Sequence, residues 1–264
     1  SCIRILKEHA AGRELILAGS YNNYIYHKKD IYQSSWKRGE DSQKANTEKE
    51  EILGYCDDGI GHISRLAEQD MDEKKQLDLL EITSKLCVAK GAFLQVTGGD
   101  PVDTQELYQK SYDITKEILK KNFIRGSMLY LQATERIVSV TGQTKKKGAL
   151  DDIYHDFKAF LEMLIENESE IQPLLRANEK GRIEFGILPR KAMFYRKLAT
   201  VGFGMGWVPE DTSIEMLYQE GMNIIEQLEQ DTSYNDNQMW ILADYKRIIV
   251  NEYGKFALAQ HQND

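Results

Sequence analysis

The stretch Thr212-Ser-Ile-Glu-Met-Leu-Tyr-Gln-Glu-Gly-Met-Asn-Ile-Ile-Glu-Gln-Leu228 reads as a helix from its first residue. Thr212 and Glu215 stand three apart, the spacing of a capping box in which two side chains satisfy orphan backbone N–H groups. Ile214, Leu217, Gly221, Ile224 and Leu228 then recur at the 3.6-residue period that lays one apolar face along a helix. After Asp231-Thr-Ser233, the same period predicts a last helix from Asn237 to Tyr253.

Working back toward the start, Gly202 to Pro209 reads as a glycine-rich connection holding Trp207, and Ile183 to Val201 as a helix with Pro189 near its beginning. Leu150 to Ile165 is amphipathic through Ile153, Phe157, Phe160 and Leu164. Thr141 to Gly148, with Lys145-Lys-Lys147, reads as a solvated loop, and Ser127 to Val140 as a helix. Asp103 and Glu106 form a second candidate capping box, opening a helix that closes near Asn122. Leu77 to Phe93 lies on a longer helix ended by Gly98-Gly-Asp-Pro101. Ile60, Ile63 and Leu66 mark a short one that stops near Asp70-Met-Asp72. Residues 1–47 read as an N-terminal extension: a short helix at Glu14–Ala18, a tyrosine-rich basic stretch from Tyr21 to Lys37, and a polar linker from Gly39 to Asn46. The helical domain spans 48–253 and a tail 254–264. Short connections predict antiparallel neighbours. The fold class is all-α.

Composition bounds the function. The chain has 264 residues and a net charge of −8, which argues against a nucleic-acid binder with its basic face. No apolar run approaches the roughly 20 residues of a membrane span, and no basic-then-apolar leader opens the chain. The three cysteines, Cys2, Cys56 and Cys87, are too scattered for a disulfide framework or a zinc cage, so a reducing, cytoplasmic setting is expected. Only four prolines occur, in keeping with helices.

Catalytic signatures are not found. Gly202-Phe-Gly-Met-Gly206 lacks the spacing and the preceding strand of a phosphate-cradling loop. Asp152-x-x-His155 occurs once, where a helical di-metal site needs inward Glu-x-x-His pairs on two helices. Asp57, Asp58 and His62 sit one turn apart without further ligands. No Ser or Cys stands in a nucleophile elbow or dyad. The residues describe a helical bundle or superhelix without catalytic machinery, cofactor or metal, and such proteins bind other proteins.

Several stretches, in collinear order, resemble the 14-3-3 family. Leu217 to Leu228, followed by Ser233-Tyr-Asn-Asp236, looks like its penultimate helix and the junction after it. Thr141-Gly-Gln-Thr-Lys-Lys-Lys-Gly-Ala-Leu-Asp-Asp-Ile-Tyr-His-Asp-Phe-Lys-Ala159 looks like its Thr-Gly loop and following helix. Glu106 to Ile124 is similar to its long fourth helix, and Tyr55-Cys-Asp-Asp58 with Leu79-Leu80 and Lys85 to its second and third. The resemblance covers residues 48 to 253. Ser34-Ser-Trp-Lys37 copies a family tetrapeptide but lies out of register, and is taken as coincidence.

The resemblance implies about nine antiparallel helices forming a cup with a ligand groove, and a non-enzymatic adaptor that binds phosphoserine or phosphothreonine segments of partner proteins. It also implies a dimer, with itself or with another 14-3-3. Gly98 to Pro101 would cut short the helices that form the family's interface. Lys85 falls on the family's pocket lysine, but Ala92 stands where an arginine is expected seven residues on. Either Arg136 or Ser139 takes the fifth-helix arginine position, and Arg136 is preferred. Arg190 and Arg247 replace two backbone-clamping asparagines, and Lys197 replaces a glutamate. Met193, Met239, Trp240 and Ala243 would line the apolar wall. A lost bidentate arginine is worth about 1.5–3 kcal/mol, while the three new cations offer anion affinity in another geometry. The alternative reading is a helical scaffold for unphosphorylated, acidic protein partners.

Overall fold

The structure is a computed structural model that describes residues 16, 17, 19–21, 23–25, 27, 28, 42–67, 71–177, 181, 182, 186–231 and 233–262. Among them all regular secondary structure is helical. None of these helices is long and apolar enough to cross a membrane. The chain divides into two compact units, Ser1–Lys121 and Asn122–Asp264.

In the first unit, α1 (Ser42–Ala67), α2 (Glu73–Val96) and α3 (Pro101–Lys121) follow helical residues between 16 and 28. Leu17, Tyr21 and Ile25, each four apart, place one stripe against Ile52, Cys56 and Ile63 of α1 and Leu79, Leu86 and Phe93 of α2. Each such fully buried side chain contributes about 1.5–3 kcal/mol. Tyr24 meets the edge of Tyr55 at 4.6 Å, and partial burial pushes the pKa of its hydroxyl up to about 12. The α2–α3 contact is built from small and neutral groups. Ser84 and Ser111 share a buried 2.8 Å hydrogen bond. Gly91 lies so close to the Tyr108 ring that an added Cβ would stand 2.6 Å from it.

In the second unit, α4 (Phe123–Thr144), α5 (Lys147–Glu166), the one-turn α6 (Glu168–Ile171) and a 3-10 turn (Gln172–Leu174) precede α7 (Ile187–Met205), α8 (Ile214–Glu229) and α9 (Asp236–His261). Helix α7 packs against α4, α8 and α9 and so carries the core. Phe157 of α5 packs at a tilt against Phe194 of α7, with ring centroids 4.1 Å apart. Gly221 lets α8 approach the Ala192 carbonyl, which an added Cβ would meet at 2.9 Å.

Several expected boundaries shift, each for a local reason. The predicted linker ending at Asn46 is helical from Ser42, so α1 has 26 residues instead of forming a short helix. The opening of α3 lies upstream of the Asp103–Glu106 pair: Asp100 Oδ1 accepts from the Val102 N–H, and Pro101, with no N–H to satisfy, starts the helix. The predicted loop from Thr141 is helix as far as Thr144, because Thr141 is buried and the Thr144 hydroxyl bonds the Val140 carbonyl. Lys145, at φ 55°, ends α4. The cap of α8 is Ser213, not Thr212, with its oxygen accepting from Met216 N–H at 3.1 Å. Gly202 to Met205 continues α7, Gly202 because the Trp207 ring leaves no room for a side chain there. The last helix begins at Asp236 behind an Asn235–Gln238 capping box and runs to His261, so residues 254–261 are helix and Phe256 packs on Phe203 at 5.1 Å. The helix expected at Glu14–Ala18, the Ser34–Lys37 tetrapeptide and Ile183 lie wholly or partly outside the described residues.

Candidate functional site

Several charged residues of the second unit come together where α4, α7 and α9 meet. On α4, the buried positions Thr134, Ile137, Val138 and Thr141 mark the inward face, and Glu135 and Arg136 sit at its border. On α7, Ala192, Arg196 and Ala199 fall at i, i+4 and i+7 on the buried stripe, which carries Arg196 into the interior with only 7% of its surface exposed. A buried guanidinium is stable only when paired and hydrogen-bonded. Arg196 Nη1 donates to Glu252 Oε1 of α9 at 2.9 Å. Its Nη2 stands 3.8 Å from Glu135 Oε1, whose other oxygen is 3.9 Å from Arg190 Nη1.

The network continues through neutral donors. Thr200 Oγ1 donates to the second Glu252 oxygen and shares a 3.0 Å hydrogen bond with the Tyr218 hydroxyl of α8. Lys197 sits beside these groups. Burial holds its ammonium below the ordinary lysine range, Arg196 and Arg136 push it the same way, and Glu135 and Glu252 oppose them. Neither Lys197 nor Arg136 has a hydrogen bond or ion pair among the described residues.

Of the residues singled out from the sequence, Arg136, Arg190 and Lys197 belong to this cluster. Lys85 lies on α2 in the first unit, where it pairs with Glu81 one turn before it. Arg247 lies on the exposed side of α9, held by Asp244 at 2.6 Å. Trp240, Ala243 and Arg247 are spaced i, i+3 and i+7, so they share one α9 face, and Trp240 is 68% exposed. Met193 on α7 and Met239 on α9 are half-buried. Ser139, the alternative to Arg136, is half-buried on α4.

Sequence reasoning missed Arg196, Glu135, Glu252 and Thr200. One signal was present: Arg196 interrupts an otherwise apolar stripe of α7, and a charge there needs a partner. Its partners lie 61 residues before it and 56 after it, beyond any local pattern.

Elsewhere, Asp57 is bound by Lys90 at 2.5 Å. Asp152 and His155 line a polar hollow of about 350 Å³ with Asp151, Lys158 and Asp211. Lys158 and the Tyr154 hydroxyl both donate to Asp211, which holds that carboxyl below its usual range. Among the described residues no group of three or more His, Cys, Asp or Glu side chains is arranged to hold a metal ion. Compared with family models, with curated proteins and with solved structures, the chain gives no match.

Proposed function

We propose that this chain is a non-enzymatic adaptor of the 14-3-3 type, which captures phosphoserine or phosphothreonine segments of partner proteins through the α4–α7 cations. The observation that carries the reading is the pair Arg136 and Lys197: two mutually repelling cations, each without a hydrogen-bonded anion among the described residues. An anion between them removes the repulsion and gains charge-assisted hydrogen bonds. A phosphate group suits the place because it carries about −1.5 to −2 charge and three acceptor oxygens. The exposed Trp240 on α9 offers an apolar surface for the flanking peptide side chains. Lys85, in the other unit, is paired with Glu81 and is not part of this cluster.

The test is isothermal titration with an Arg-x-x-pSer-x-Pro peptide and its unphosphorylated twin. Binding of the phosphorylated form alone, weakened at least about tenfold by Lys197→Gln or Arg136→Gln, supports the reading. Equal binding of both forms points instead to the scaffold for unphosphorylated partners. Binding of neither removes the adaptor role.

A further inference from the structure

We propose that Glu135 sets the specificity of the α4–α7 cluster: it is a tethered carboxylate between Arg190 and Arg196 that a phosphate dianion displaces and a peptide carboxylate does not. The inference rests on the anion-binding reading above and adds to it what the site refuses.

The two carboxylates of the cluster are held differently. Both oxygens of Glu252 are committed, one to Arg196 Nη1 at 2.9 Å and the other to the Thr200 hydroxyl. The oxygens of Glu135 stand 3.8 and 3.9 Å from Arg196 and Arg190, inside ion-pair range but beyond hydrogen-bond reach. Glu135 accepts no hydrogen bond among the described residues, and its side chain is 28% exposed. It therefore neutralises charge where an anion would sit without making an anion's hydrogen bonds. Moving it aside breaks no hydrogen bond and leads it toward water.

A tethered group competes at an effective concentration on the order of millimolar. A peptide Asp or Glu carries the same single charge and the same two oxygens as Glu135. It gains little by exchange and is repelled while Glu135 stays. A phosphate dianion brings a second charge and a third oxygen. It can take over the two guanidinium groups at about 2.7–2.9 Å and still face Lys197 and Arg136. The site consequently discriminates phosphoserine from the acidic residues that often stand in for it.

The experiment measures two peptides, one with phosphoserine and one with Glu in its place, against the full chain and its Glu135→Gln and Glu135→Asp variants. In Glu135→Gln, affinity for the Glu peptide rises at least about tenfold and for the phosphopeptide only about threefold, so the preference between them falls. Glu135→Asp keeps the preference of the unmodified chain. An unchanged preference in Glu135→Gln overturns the proposal. A second arm does not depend on peptides: thermal unfolding at fixed ionic strength with inorganic phosphate or with acetate. Phosphate alone raises the Tm of the unmodified chain, whereas both anions raise that of Glu135→Gln. If the peptides fail but this pattern holds, the adaptor role falls and the role of Glu135 stands. If acetate acts identically on both proteins, the role of Glu135 is wrong whatever the peptides do.

Discussion

The α2–α3 contact of the first unit and the α4–α7 contact of the second solve the same packing problem with opposite chemistry. The first brings helices together over Gly91 and closes its buried polar groups in a neutral pair, Ser84 with Ser111. In that pair one hydroxyl donates to the other, and neither carries a charge. The second places Glu135, Arg136, Arg190, Arg196 and Lys197 on facing helices. Desolvating charges in this way costs more than apolar packing would, and replacing such networks by hydrophobic residues is often neutral or stabilising. A neutral interface serves stability alone. On the function proposed above, the charged contact is kept because it receives an anion.

Arg196→Met strips Glu252 of its guanidinium and leaves a carboxylate only 24% exposed, at an expected loss of about 3–5 kcal/mol in urea unfolding. Adding Glu252→Gln should recover part of that loss, whereas an additive further loss would mean that the two do not act as a pair. In the neutral contact, Gly91→Ala forces Cβ against the Tyr108 ring and should cost about 1–3 kcal/mol. Ser84→Ala leaves the Ser111 hydroxyl buried without its partner, an expected cost of about 1–2 kcal/mol. The double variant with Ser111→Ala should cost less than the two single changes together, as a double-mutant cycle would show.

The smallest effect concerns pH. Burial pushes the Cys56 thiol from 9.0 up to about 12. The neutral thiol is the form the fold favours, so its contribution is complete below pH 9 and is lost as pH rises toward the folded value. Native Cys56 and Cys87 should therefore resist alkylation at pH 8, while unfolded chain reacts at both. Rapid native modification of Cys56 would contradict its burial.

Much of this architecture is legible in the sequence because helices write their period into it. The spacing of Leu217, Ile224 and Leu228 marks α8, and that of Phe157 and Phe160 marks α5. Boundaries are less legible, since candidate caps stand close together: Asp100 with Pro101 outranks Asp103, and Ser213 outranks Thr212. Gly202 reads as a chain breaker but is a contact point for Trp207. Within the site, Arg136, Arg190 and Lys197 can be singled out as cations, but not their neighbours. Glu135 and Glu252 acquire meaning only when α4 and α9 are brought against α7, an arrangement encoded in the core residues and not in the charged ones. Lys85 shows the converse, since its position matches a pattern while the structure pairs it with Glu81.

The most direct measurement is phosphopeptide affinity in two double variants, one from each contact, followed by fluorescence anisotropy. Arg136→Gln with Lys197→Gln should lower affinity for the phosphoserine peptide at least about tenfold while the fold persists, and Ser84→Ala with Ser111→Ala should leave it unchanged. Undiminished binding in the Arg136→Gln, Lys197→Gln protein would contradict the account, because the charged contact would then be no more a ligand site than the neutral one.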